Sequence, residues 1–326
     1  MNKQISFILI FILAVSFLYG DNLDELSQND INNIKDPDVL WGLFLQNPDS
    51  ETGINILISL GTLGKGNRSV IENLNNYLMG RNLLFRSGYS VDYQVVSACI
   101  AAIMELGDST SYPALFSVLY AGFPEVIASE ALGALEVIRG NLLQFLMNVI
   151  ENNPPDEKFA AFRAGINSER LTVSERGRLA ERALEQALAA VGENIDLSAM
   201  RYSAVNALTR LRWTRANALA IRHYYRVQSD FIQGLIPKER FIEAITCLGA
   251  VGNPDAALVL GLQLGLINAR TESTGNYDPE ITIAIVQALG FIGYNAAFDH
   301  LLHVGNLFYP EDIQNAAREA IARLKW

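Results

Sequence analysis

The sequence is short of the residues from which most active sites are built. Among 326 residues there are two cysteines and three histidines, too few for a disulfide-dense scaffold or a histidine-rich metal centre. Charged residues make up only 18% of the chain, which excludes a disordered, highly charged tail. Bases are the scarcer sign, 25 against 35 acids for a net charge of −10. The molecule as a whole therefore has no electrostatic pull toward nucleic acid or an anionic membrane surface. No Gly-Lys-Ser/Thr phosphate loop, Gly-x-Ser-x-Gly elbow, His-Glu-x-x-His or Cys-x-x-Cys occurs, so the expectation is a protein with no catalytic residue, no cofactor and no metal.

A long apolar run is missing too. The longest, Ile5 to Tyr19 behind Lys3, covers 15 residues, whereas a permanent bilayer crossing takes about 20. With Gly20, Asp21 and a polar stretch following, residues 1–20 read as a secretory signal peptide. The absence of a cysteine near the cut removes the lipoprotein route. The expected product is exported to a bacterial periplasm or cell envelope and has no membrane span once the signal is cleaved; a segment left uncleaved as an anchor is the alternative.

What the chain does have is apolar residues, 50% of the total, arranged in a recurring phrase: a small residue, an aliphatic, two variable positions, an aliphatic and a turn residue. It occurs as Ser59-Leu60-Gly61-Thr62-Leu63-Gly64, Ala102-Ile103-Met104-Glu105-Leu106-Gly107, Ala134-Leu135-Glu136-Val137-Ile138-Arg139 and Ala207-Leu208-Thr209-Arg210-Leu211-Arg212. It returns as Cys247-Leu248-Gly249-Ala250-Val251-Gly252, Ala288-Leu289-Gly290-Phe291-Ile292-Gly293 and Ala320-Ile321-Ala322-Arg323-Leu324-Lys325. The first aliphatics, at 60, 103, 135, 208, 248, 289 and 321, are 32 to 43 residues apart except for one double gap, so a degenerate copy is expected between Lys158 and Val191. Four residues before each stands another small or aliphatic residue, which makes one helical face. Gly252-Asn253-Pro254-Asp255 then closes that helix, caps a second and starts it with proline. No period-2 pattern competes.

These phrases resemble HEAT repeats, in particular the short HEAT-like repeats first associated with phycobilisome lyases. Residues 247–255 and 288–293 lie nearest that consensus, and the resemblance covers roughly Thr52 to Trp326. It implies an all-α fold: a right-handed α-solenoid of about seven helical pairs over 52–326, with an N-terminal helical cap over 21–51 built on Trp41 and Phe44. A closing half-repeat runs from Ile313 to Trp326. The usual role it implies is a protein-binding scaffold rather than an enzyme.

The longer periods place extra length after the second helices, at 80–92, 192–198, 229–239 and 268–280, and these stretches read as loops along one edge. Leu83, Leu84, Phe85 and Tyr89 make the first of them apolar enough to pack on something. Charge falls in blocks: 7 basic and 18 acidic residues in 1–157, 12 and 6 in 158–226, 6 and 11 in 227–326. From Leu197 to Arg226 there are six arginines and no acid. Arg212, Arg215, Arg222, His223, Tyr225 and Arg226 are the candidate binding residues, because guanidinium forks on one helix face grip carboxylates or phosphates. Two readings stand side by side: a stripe that binds an acidic protein surface or an anionic envelope polymer, and structural ion pairs with Glu181 or Glu185 of the neighbouring repeat. Some members of the resembled family are lyases or carriers, which is a further alternative. Asp299, His300 and His303 offer a weak zinc-like spacing against a plain solvated face, and Cys99 and Cys247, standing where other copies have alanine, read as buried core residues.

Overall fold

The computed structural model describes residues 28–46, 49–190 and 196–325. The expected signal peptide and Trp326 lie outside the described residues. Among the described residues there are 17 α-helices and no β-strand beyond a single bridge between Tyr294 and Lys325. The fold is all-α, with helices packed in neighbouring pairs in a solenoid-like manner. The chain forms two compact units, one ending at Phe145 and the other beginning at Leu146.

In the first unit, α1 (Gln28–Asn33) and α2 (Pro37–Phe44) form the cap. They are followed by α3 (Ser50–Leu63), α4 (Arg68–Arg86), α5 (Tyr93–Leu106), α6 (Tyr112–Ala121), α7 (Glu125–Val137) and the beginning of α8 (Leu142–Asn152). The first helices α3, α5 and α7 lie side by side; α4 and α6 make a second layer, each resting on the first helix that follows it. Polar caps set the starts: Asp49 accepts from the Thr52 amide, Asn67 from Ser69 and Asp92 from Gln94, each satisfying an amide that the helix itself leaves unpaired. Gly107, at φ 69°, turns α5 off in the left-handed region. Trp41 and Phe44 of the cap meet Tyr77 of α4 edge-on at 6.5 and 5.0 Å between ring centres.

The second unit contains α9 (Pro155–Asn167), α10 (Val173–Ala189), α11 (Ser198–Leu211), α12 (Asn217–Ile232) and α13 (Lys238–Val251). Then come α14 (Pro254–Thr274), α15 (Pro279–Ile292), α16 (Phe298–Val304) and α17 (Glu311–Ala322). Here α11, α13, α15 and α17 form the first-helix layer and α12, α14 and α16 the second. The weakly matching stretch between Lys158 and Val191 is a helical pair, α9 and α10, the latter opened by a reciprocal capping box between Thr172 and Glu175.

The recurring phrase works through close approach. Six of its seven first aliphatics, Leu60, Ile103, Leu135, Leu208, Leu248 and Leu289, are buried, each stabilising by about 2 kcal/mol, while Ile321 of the last copy is half-buried. Its glycines sit on the opening alanine of the next copy. A Cβ on Gly61 would stand 2.9 Å from the Ala102 Cα, on Gly249 2.8 Å from that of Ala288, and on Gly290 2.9 Å from that of Ala320. The small residues at these positions are thus what allow adjacent first helices to touch along their backbones.

One expectation is corrected. Much of the length assigned to loops after the second helices is helix: α4 runs to Arg86, α12 to Ile232 and α14 to Thr274. Buried amides hold two of these extensions. Asn82, on the stripe of Leu74 and Leu78, donates to Ser117 Oγ of α6 at 2.6 Å. Asn268, on the stripe of Leu260 and Leu264, donates to the His300 carbonyl at 3.0 Å and accepts from Tyr309 Oη at 3.0 Å. Of the four apolar residues of the first stretch, Leu83, Leu84 and Tyr89 remain exposed and Phe85 alone packs, stacked on Phe123 at 4.3 Å.

Candidate interaction face

The arginine-rich segment occupies the end of α11, the turn and α12. Arg212 closes α11 at φ 49°, the one non-glycine residue with positive φ among the described residues. Arg215 sits in the turn with its guanidinium 5.7 Å from the Trp213 ring centre. Arg222, Tyr225 and Arg226 are exposed on α12. His223 departs from the expected stripe: it is 1% exposed, because a helix rotates about 100° per residue and the position after Arg222 faces inward. Its ring lies edge-on to Tyr202 at 5.8 Å, and neither ring nitrogen has a hydrogen-bond partner. Burial, reinforced by the nearby Arg201 charge, lowers its pKa to about 3.

The ion-pair alternative is not realised as expected. Glu181 accepts from Trp213 Nε1 at 2.7 Å and Glu185 pairs with Arg182 at 2.7 Å, so neither meets the stripe. Arg226 pairs instead along its own helix, with Asp230 at 3.1 Å. No carboxylate lies within 4 Å of Arg212, Arg215 or Arg222 among the described residues. Arg201, counted in the same segment, is buried against the Tyr202 ring, whose centre also lies 4.3 Å from the Arg240 guanidinium.

Beside α12 stands a feature that the charge pattern does not reveal. Gln228 donates to Gln263 at 2.8 Å, joining α12 to α14. On α14, Leu258, Leu262 and Leu266 are 50%, 65% and 68% exposed. The segment Leu258-Val259-Leu260-Gly261-Leu262-Gln263-Leu264-Gly265-Leu266 carries leucine at every second position, which on a helix places apolar residues on opposite faces. Leu260 and Leu264 fill the core while the other three meet water. A helix apolar all round is ordinarily buried all round, so this row was available to the sequence reading as a signal and was missed. Leu302 of α16, 48% exposed, adds to the apolar surface of the same second-helix layer.

The other candidates resolve into structure. The His300 ring covers Gly261 and Gly265, where a Cβ would come within 3.2 and 2.9 Å of it, so it is half-buried against α14 and not on a solvent face with Asp299. His303 stands 3.8 Å from Glu272. No group of three potential metal ligands occurs among the described residues. Cys99 and Cys247 are free and buried, and burial pushes their thiols up to about 12 and about 11. No helix among the described residues is long and apolar enough to cross a membrane.

The chain matches no protein-family model and no curated protein.

Proposed function

We propose that this is an exported, non-catalytic HEAT-like repeat protein that binds another protein, a scaffold or assembly factor of the bacterial cell envelope. The observation that carries the reading is the presence of an exposed leucine row on α14 (Leu258, Leu262, Leu266) beside a helix, α12, that with its preceding turn carries exposed arginines without an acidic partner among the described residues (Arg215, Arg222) and exposed Tyr225. Contiguous apolar surface bordered by polar groups is the composition of a binding patch, and arginine and tyrosine are the residues that dominate binding energy at interfaces. The partner that fits is a protein surface with apolar side chains flanked by carboxylates. The Gly–Ala contacts at the repeat phrase support the HEAT-like assignment, and the apolar run behind Lys3 supports export.

The unpaired guanidinia also favour a second reading, in which the stripe grips an anionic envelope polymer. One comparison separates the two. Arg215→Glu/Arg222→Glu removes charge from the face, and Leu262→Asp removes apolar surface, both at exposed positions that leave the melting temperature within about 2 °C. A protein partner is lost with either variant. A polymer is lost only with the arginines, and its binding falls steeply with salt.

A further inference from the structure

The first unit carries an acidic surface on its first-helix layer. Its three adjacent first helices, α3, α5 and α7, contain five glutamates, Glu51, Glu105, Glu125, Glu130 and Glu136, and not one lysine or arginine. In the second unit α11, α13 and α17 carry basic residues, whereas α15 has none and a single acid, Glu280; three neighbouring first helices with acids and no base occur in the first unit. On the outer side of α3, α5 and α7 runs an open groove of about 420 Å³, lined by Ile54, Ile58, Tyr93, Ser97, Ala101 and Ile127 among others. Its walls are almost wholly apolar.

The acids border the groove. Glu130, one turn beyond Ile127, accepts from the groove residue Ser97 at 2.5 Å. Asp92, next to Tyr93, accepts from Ser50, a hydrogen bond that holds its carboxyl below the usual range. Glu51 precedes Ile54 by one turn and Glu105 follows Ala101 by one turn, both exposed. Lys65, just past the end of α3, is neutralised by Glu105 at 2.6 Å. The apolar surface continues past the groove through Val126 and Val137, 67% and 65% exposed on α7.

From this we infer that the first-helix face of the first unit is a second docking site, whose occupant is an amphipathic helix of a partner protein with one apolar stripe edged by lysine or arginine. The apolar stripe fills the groove, as in helix-in-groove recognition generally. The basic edges meet Glu51 and Glu130, which favours this occupant over an acidic or uncharged helix and over an anionic polymer or membrane surface. The inference rests on the reading of the chain as a protein-binding scaffold, but uses a surface independent of α12 and α14.

The test uses the purified full chain and three labelled 18-residue peptides followed by fluorescence anisotropy. The first has a leucine stripe flanked by lysines, the second has glutamates in place of the lysines, and the third is a scramble of the first. The first is expected to bind in the micromolar range, to weaken about tenfold between about 50 and about 300 mM salt, and to bind at least about tenfold more tightly than the other two. Ala101→Lys and Ile58→Lys, each placing a cation in the groove, should abolish that preference with no change in helical signal. Glu51→Gln/Glu130→Gln should keep binding but flatten its salt dependence. Equal binding of the three peptides, or binding indifferent to Ala101→Lys and Ile58→Lys, would overturn the proposal. So would binding that appears only after residues 1–20 are removed, which would make the chain's own leader the occupant, or self-association that Ala101→Lys abolishes, which would make it a second copy. Arg215→Glu/Arg222→Glu should leave peptide binding unchanged. Failure of partner capture at the α12 and α14 face with peptide binding intact would sink the scaffold reading of that face alone.

Discussion

His223 has neither ring nitrogen hydrogen-bonded and sits beside a buried guanidinium, and such a group makes stability depend on pH. Its native pKa is about 3 against 6.5 in the unfolded chain. Between those values the unfolded chain binds a proton that the native one does not, so stability present above pH 6.5 is lost as pH falls, by up to about 1.4 kcal/mol per pH unit. His223→Phe should flatten the pH 6.5 to 4.5 limb of the stability profile measured by urea unfolding; a slope identical to that of the unsubstituted chain would show that the imidazole titrates normally. Arg212 makes a second residue-scale case. It occupies the left-handed position that Gly107 and Gly293 fill in other copies, at a cost for a side chain of about 1 kcal/mol. Arg212→Gly should therefore stabilise the chain by about 0.5–1 kcal/mol, again read from urea unfolding. The inward face of His223 was legible in the sequence by helical rotation from Arg222; adjacency in number obscured it. The Glu185 pair with Arg182 was legible as an i,i+3 spacing on one helix, whereas the indole that takes Glu181 is 32 residues away and reaches it only through the packing.

At the scale of elements, the phrase of small and aliphatic residues predicted the first helices well because it is a packing code: Gly61, Gly249 and Gly290, at its third position, each face the alanine that opens the next copy. Gly249→Val should cost about 1–3 kcal/mol, since its Cβ would press on the Ala288 backbone, and a melting temperature equal to that of the unsubstituted protein would contradict the contact. The second helices were read too short, and the reason is physical. A search for apolar periodicity stops at Leu78 and at Leu264, but the buried stripe continues one turn further as Asn82 and Asn268. An amide is as good a core residue as leucine where it meets partners on the adjacent helix. Asn268→Leu leaves the Tyr309 hydroxyl without this acceptor and the His300 carbonyl without this donor, and should destabilise by about 2–3 kcal/mol, whereas the exposed Asn276→Leu should change little. The exposed leucine row on α14 escaped for the converse reason: alternating leucines look like core on every side until packing shows which side is covered.

For the molecule as a whole, the net charge of −10 averages surfaces that act separately. The acidic excess of the first unit lies partly on a first-helix layer with no base in its helices, and the basic excess of residues 158–226, 12 bases against 6 acids, is displayed in part on α12 in a second-helix layer. The blocks of charge were legible as counts along the chain, but which layer shows them, and that each stands beside exposed apolar side chains, required the packed helices. Two faces of opposite sign suit a protein that holds dissimilar partners. The most direct test is a photo-cross-linking residue in place of Leu262, activated in intact host cells and followed by mass spectrometry of the adduct. The account predicts a discrete protein adduct that disappears when Arg215→Glu/Arg222→Glu is added and the melting temperature is unchanged. No protein adduct at Leu262, or one undiminished by the arginine changes, would contradict it.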